Sequence, residues 1–353
     1  MPHIETVWGP ISCEDMGITL MHEHILVDLS CLAREPADVA KKQLFHKPVT
    51  MEVLGTLTRD PTRCSDNLRL IDPMLSIHEL AAFKDLGGQT IVDLTLPGMG
   101  RDPSAQRNIS AATGIHIIAA TGWYLAPSFP DFIKEKSIDE LCDIMVRELT
   151  VGIDDTGVMA GVIGECGCSM IPYHPLEKKV LQAAARAQAK TGVPYTIHPA
   201  LIDVKNRIGS VKMAEIYLDL IEQEGADLTK FYLSHADRTC TDLEYHRRLL
   251  GRGITLSYDC LGKGNFFDDT LIGAGGRSDG ERVRALVELC KEGYDTQIVL
   301  SQDICCKTNL KKYGGMGYAH ILEHIVPMLN AEGVSDEKIR NMLVNNAKRL
   351  FMK

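Results

Sequence analysis

The sequence predicts a (β/α)8 TIM barrel of the α/β class, and three observations carry that expectation. Short apolar runs recur along the chain, and from Leu75 onward they alternate with stretches of helical periodicity. Such alternation implies parallel strands joined by crossover helices. Eight such runs are present, the number that closes a barrel, and 353 residues suit one barrel with additions. A single domain over residues 1–353 is expected, with an insertion at about 30–73 after the first strand and extra helices at the C-terminus.

The first strand, 17–21, leads into His22-Glu23-His24. Side chains two apart on a strand share a face, so the two imidazoles leave the strand end side by side. Glu23 points the other way and suits an ion pair or a turn contact. The mixed segment 30–73, with Pro36, Pro48 and Pro61, is expected to hold short helices folded over the mouth of the site. A helix over 77–86 stops at Gly87-Gly88, and 89–94 reads as a buried strand. The helix 105–113 ends at Gly114 before strand 115–120. The helix 138–149 precedes strand 160–163, which runs into Gly164-Glu165.

The strongest helix, 175–190, places Leu176, Val180, Leu181, Ala184 and Ala187 on one stripe. Strand 194–197 then reaches His198. Helix 211–224 is followed by strand 231–233, which reaches His235. Helix 242–250 is followed by strand 254–257, which reaches Tyr258-Asp259. Helix 281–291 is followed by strand 297–300, which reaches Ser301-Gln302-Asp303. Helices near 319–330 and 336–349, the latter capped by Ser335, complete the chain.

Composition narrows the function classes. A net charge of −9 without a dense Lys/Arg cluster argues against a nucleic-acid partner. Eleven cysteines, odd in number and scattered, match neither a disulfide framework nor a zinc ribbon and read as buried small side chains. The N-terminal residues lack the basic and apolar regions of a secretory signal, and no run approaches the ~20 apolar residues of a membrane span. A cytoplasmic protein with no membrane partner is the expectation.

Six residues with nitrogen or oxygen donors fall where a strand hands over to its loop: His22, His24, Glu165, His198, His235 and Asp303. That rim is where barrel enzymes assemble their sites. Six donors exceed the three plus water of a tetrahedral catalytic zinc, and suit two metals sharing a bridging carboxylate.

The motifs Gly17-Ile-Thr-Leu-Met-His-Glu-His24, Ala160-Gly-Val-Ile-Gly-Glu165, Thr191-Gly-Val-Pro-Tyr-Thr-Ile-His198, Leu233-Ser-His235-Ala-Asp237 and Ile298-Val-Leu-Ser-Gln-Asp303 resemble the phosphotriesterase-related family of the amidohydrolase superfamily. Ala183-Ala-Ala-Arg-Ala187 and Asn345-Asn-Ala-Lys-Arg-Leu-Phe351 extend the resemblance over nearly the whole chain. It implies one buried metal on His22, His24 and Asp303, and a more exposed one on His198 and His235. Glu165 would bridge them where the best-known members use a carboxylated lysine. With the strand register shifted by one residue, Cys166 would compete as a thiolate. Two divalent ions are implied, zinc foremost, with manganese, cobalt or nickel also suited.

The resemblance further implies a bridging hydroxide that attacks a carbonyl or phosphoryl centre, with Asp303 as general base. Many members carry a relay carboxylate three residues past the strand-six histidine; Arg238 stands there, with Asp237 one residue earlier. The relay histidine that some members carry after strand seven is replaced by Asp259 and Cys260. These departures favour a lactone or ester, phosphorylated ones included, over an organophosphate triester. A mononuclear deaminase-like enzyme and a metal-stabilised binding protein without turnover are the alternatives. The family resemblance also implies a homodimer.

Several further residues have two readings each. Trp123 and Tyr124 wall the pocket or are packed loop aromatics. Asp237 orients His235 or is an exposed turn carboxylate. Lys263, Arg238 and Arg277 hold a substrate anion or are solvated charges. Cys305 and Cys306 line the pocket or pack in the core.

Overall fold

The computed structural model describes residues 3–200, 202–203, 208–209, 213–264 and 277–352. Eight parallel strands lie side by side in the order of the chain. They are β1 (Ile18–Glu23), β2 (Gly88–Asp93), β3 (His116–Thr121), β4 (Val162–Gly167), β5 (Tyr195–His198), β6 (Phe231–Leu233), β7 (Thr255–Tyr258) and β8 (Ile298–Leu300). The intervening helices are α1 (Pro73–Asp85), α2 (Pro103–Thr113), α3 (Ile138–Thr150), α4 (Pro175–Thr191), α5 (Ala214–Gln223), α6 (Leu243–Leu250) and α7 (Asp279–Lys291). This is the expected (β/α)8 barrel.

Closure of the barrel relies on side chains at the rim. Ser301 Oγ accepts from His22 N at 2.9 Å, and Asp303 N donates to His22 O at 3.1 Å. The seam between β8 and β1 is therefore made partly by the residues that follow β8.

Local chemistry explains the helix starts. Asp72 accepts from the N–H groups of Met74 and Leu75 at the head of α1, where Pro73 occupies a position with no hydrogen bond to lose. Reciprocal Ser–Glu caps open α3 (Ser137, Glu140) and α7 (Ser278, Glu281).

Some boundaries differ from the sequence expectation. Strand β4 continues through Glu165 to Gly167, and its pairing with β5 shifts register between Ile163 and Cys166. Helix α5 starts at Ala214; the two residues 211–212 expected to open it lie outside the described residues. Both C-terminal helices contain a wider π-type turn, Ile321–Ile325 and Asn341–Asn345.

The 30–73 insertion does hold short helices, Val39–Phe45 and Met51–Arg59. It has a small core of its own, Val49, Val53, Leu57 and Cys64. It is tied to the loop after β8 by Lys307–Asp66 at 2.6 Å and by Thr308 N donating to Asn67 Oδ1 at 3.0 Å. All eleven cysteines are free thiols, and only Cys31 and Cys305 escape full burial. Among the described residues no helix is long and apolar enough to cross a membrane.

Gly164 delivers Glu165 to the rim, with φ of 109°. A Cβ built there would stand 2.1 Å from the carbonyl oxygen of Thr196 on β5. Strain at positive φ adds to the clash with backbone, so Gly164→Ala is expected to cost about 2–5 kcal/mol, read as a lower urea midpoint. A wild-type midpoint would show that β4 yields at this point.

Candidate metal centre

The rim brings together all six residues that the sequence singled out. Glu165 lies between imidazoles: Oε2 is 3.4 Å from His22 Nε2 and 3.6 Å from His235 Nε2, while Oε1 is 3.5 Å from His24 Nε2. Asp303 Oδ1 lies 3.4 Å from His24 Nε2 and 3.7 Å from His22 Nε2. The His198 ring stands edge-on to His235, with centroids 4.7 Å apart. Donor atoms of His22, His24 and Glu165, of His22, His235 and Asp303, and of Glu165, His198 and His235 form three buried triads, each within 4.8 Å.

These residues fit divalent ions. His22 Nε2, Glu165 Oε2 and His198 Nδ1 are buried without a hydrogen-bond partner among the described residues. Orphaned lone pairs aimed at one another are costly unless a cation lies between them. Imidazole and carboxylate together suit zinc, manganese, cobalt and nickel.

The imidazoles are held from behind. Asp259 Oδ2 is 2.8 Å from His22 Nδ1, and Asp259 Oδ1 is 2.8 Å from His235 Nδ1 and 2.9 Å from His235 N. An ionised carboxylate only accepts, so both Nδ1 atoms carry protons and both Nε2 atoms are the ones turned to the site, free to ligate once deprotonated. His24 Nδ1 is set by Thr95 Oγ1 at 3.0 Å. Glu23, turned away from the cluster, accepts from Ser301 Oγ (2.7 Å), Gln302 N (2.7 Å) and Ile304 N (2.8 Å). It thereby makes the turn contact expected of it and fixes the loop that presents Asp303, whose φ is 52°.

Electrostatics follow from burial. Burial opposes charge on every group. The imidazoles of His235 and His22 nevertheless hold Asp259 well below the ordinary carboxylate range, and those of His22 and His24 do the same for Glu165. Burial likewise opposes a charged His24, but bonds to Asp303 and Glu165 outweigh it and push its pKa up to about 10. His198 goes the other way, to about 3, because burial is only partly offset by Glu165. Burial pushes Glu23 up to about 7.

The secondary expectations divide. Asp259 proves to be the partner of two imidazoles. Asp237 is buried, contrary to the exposed reading. It does not hydrogen-bond the His235 ring either, but takes Arg282 Nε at 2.6 Å and Cys260 N at 3.2 Å. Tyr124 stands edge-on to His198 at 5.2 Å, whereas Trp123 packs on Phe132 at 5.8 Å. Lys263 Nζ bonds Asp303 Oδ2 at 2.5 Å and is 3.3 Å from Cys305 Sγ. Arg277 pairs with Glu281 at 3.6 Å. Cys306 is buried, and burial drives the Cys166 thiol up to about 12. Cys166 joins none of the donor triads found among the described residues.

Sequence reasoning missed Thr95, Ser301 and Arg282. The first two sit one or two residues past a strand end, the same signal that revealed the six.

Barrel and rim cluster define a (β/α)8 protein with a candidate metal centre at the C-terminal ends of its strands. The phosphotriesterase family model matches residues 2–351. A phosphotriesterase-related protein of Nematostella vectensis is 38% identical, covering 98% of this chain and 97% of that one. An N-acetyltaurine hydrolase of Tetraodon nigroviridis is 35% identical, covering 98% and 96%. A crystal structure of a resiniferatoxin-binding protein from Rhodobacter sphaeroides superimposes with a TM-score of 0.93 at 37% identity, covering 99% and 95%. The chain belongs to the phosphotriesterase family.

Two outcomes are expected. In Asp259→Asn the amide can accept from one Nδ1–H but offers N–H to the other, so one imidazole loses its tautomer. Metal affinity should fall about 10–100-fold in chelator competition. Because burial is outweighed by Asp303 and Glu165, which push His24 up to about 10, ligation at neutral pH requires it to shed a proton. Zinc loading at neutral pH should therefore release protons, read by calorimetry in buffers of differing ionisation enthalpy.

Proposed function

We propose that the protein is a binuclear metal-dependent hydrolase that cleaves the acyl C–N or C–O bond of a small carbonyl compound, an N-acyl amide in the first place and a lactone or ester by the same chemistry. The observation that carries this is Glu165, whose two oxygens face different imidazoles across one buried cluster. In this reading His22, His24 and Asp303 would hold one ion, His198 and His235 the other, with Glu165 available to both. A mononuclear site would leave that placement of Glu165 without use. Two divalent ions so held would supply the acidity that makes hydroxide available near neutral pH and the positive charge that polarises a carbonyl. Zinc leads, with manganese, cobalt and nickel also suited.

The remaining steps fall to the chain. Asp303 takes the proton of the attacking oxygen and passes it to the departing group. Neutral His198, held so by burial with His235 and Arg238 adding to the effect, is in the form that ligates. Tyr124, buried beside His198, forms an apolar wall that keeps bulk water from the reacting carbon. The choice of an amide is supported by relatives named N-acetyltaurine hydrolase that align over nearly the full chain. A second reading, small-molecule binding without turnover, is favoured by the likeness to the Rhodobacter sphaeroides binding protein.

Metal analysis after zinc loading should give close to two ions per chain. A panel of N-acyl amides, lactones and esters should then show hydrolysis, and its complete absence would favour the binding reading. Asp303→Asn should keep at least one ion and lose on the order of 100-fold or more in kcat. Wild-type rates in that variant would remove Asp303 as the base.

A further inference from the structure

We infer that Lys263 is a specificity-determining residue of this site, holding the sulfonate or carboxylate tail of an anionic acyl substrate beside Asp303. The inference rests on the hydrolase reading for the reacting bond and adds what the rest of the substrate carries.

An ammonium has three donors. Among the described contacts, Asp303 Oδ2 takes one and Cys305 Sγ, a weak acceptor at 3.3 Å, faces a second. Among the described residues the third has no hydrogen-bond partner, and the Lys263 side chain is 11% exposed. Asp303 presents Oδ1 to His22 and His24 and Oδ2 to Lys263, so a single carboxylate separates the ammonium from the metal-binding cluster. A short tail, a few bonds from the scissile carbonyl, spans that gap.

The placement of Lys263 is built into the fold. Its carbonyl accepts from Arg282 Nη1 at 2.9 Å, and the preceding Gly262 N donates to Asp279 Oδ1 at 3.0 Å. Arg282, with only 2% of its side chain exposed, is bonded in turn to Asp237 at 2.6 Å and Asp279 at 3.0 Å. One buried guanidinium thus ties helix α7 to the loops after β6 and β7. A solvated lysine would not require so costly a clamp.

The balance of charge agrees. Asp237 answers Arg282, and Asp259 is turned toward His22 and His235, away from the mouth. With two divalent ions held, Glu165 and Asp303 would neutralise half of their charge and the attacking hydroxide a further quarter, leaving an excess of positive charge. Lys263, with Arg238 close enough to act on His198 and Asp303, leaves the rim positive.

The test compares zinc-loaded wild type with Lys263→Met, Lys263→Gln and Lys263→Arg. The substrates are an N-acetyl aminoalkylsulfonate, the carboxylate of equal length and the neutral N-acetyl alkylamide. In the Met and Gln variants the ratio of kcat/KM for the anionic over the neutral substrate should fall about 10–100-fold, mainly through KM, and Lys263→Arg should recover most of it. Calorimetry with methanesulfonate, which has no scissile bond, should show a parallel loss of affinity. An unchanged ratio, or equal losses on charged and neutral substrates, overturns the inference. Should wild type hydrolyse none of the three, the hydrolase reading fails, and methanesulfonate decides the anchor separately: affinity independent of Lys263 overturns it.

Discussion

Three carboxylates, Glu165, Asp259 and Asp303, share one buried cluster, and the fold is tolerable only if their charge is met. An unpaired buried ion costs several kcal/mol even after relaxation. In the bare protein the nearby histidines meet that charge by binding protons, which is why His22, His24 and His235 are all pushed toward the charged form. Divalent ions would meet it better, because one ion can satisfy several of these donor atoms at once. Metal binding and conformational stability are thus the same free energy seen from two sides.

The barrel seam ties this electrostatic demand to topology. Ser301 and Asp303 close β8 onto β1 through the backbone of His22, and Glu23 secures the loop between them. The bonds that shut the barrel also aim His22 and Asp303. Positional precision at the rim therefore comes from the cooperative closure of the whole sheet.

Much of this was legible in the sequence because the relevant signals are local. A strand announces itself by a short apolar run, and its handover by the residue that follows, which is how six scattered side chains could be assigned to one rim. What escaped depends on partners that no local pattern records. Asp259 and His22 are 237 positions apart, and only the closed sheet brings them within 2.8 Å. Arg282 lies on an ordinary helical stripe until the loop after β6 delivers Asp237 to it. Strand β4 looked finished at Ile163 because glycine reads as a breaker, yet Gly164 is there to let the backbone pass Thr196.

The departure at Arg238 bears on which bond is broken. In the proposed mechanism hydroxide attack gives up one proton to Asp303, which must pass it on before the next turnover. A phosphotriester with an acidic leaving group does not need that proton, so it must travel to bulk water, and a relay carboxylate serves that purpose. An amide differs: its departing nitrogen is too basic to leave without protonation, so the proton taken up at Asp303 is consumed within the same cycle. A relay is then dispensable, and the position three residues beyond His235 can carry a cation. In this site Asp303 faces imidazoles on one side and an ammonium on the other, and a proton on it is readily surrendered because burial is outweighed by that positive surround. If the bond broken is the proposed amide, loss of the relay and gain of positive charge at the mouth both follow from a leaving group that accepts the proton itself.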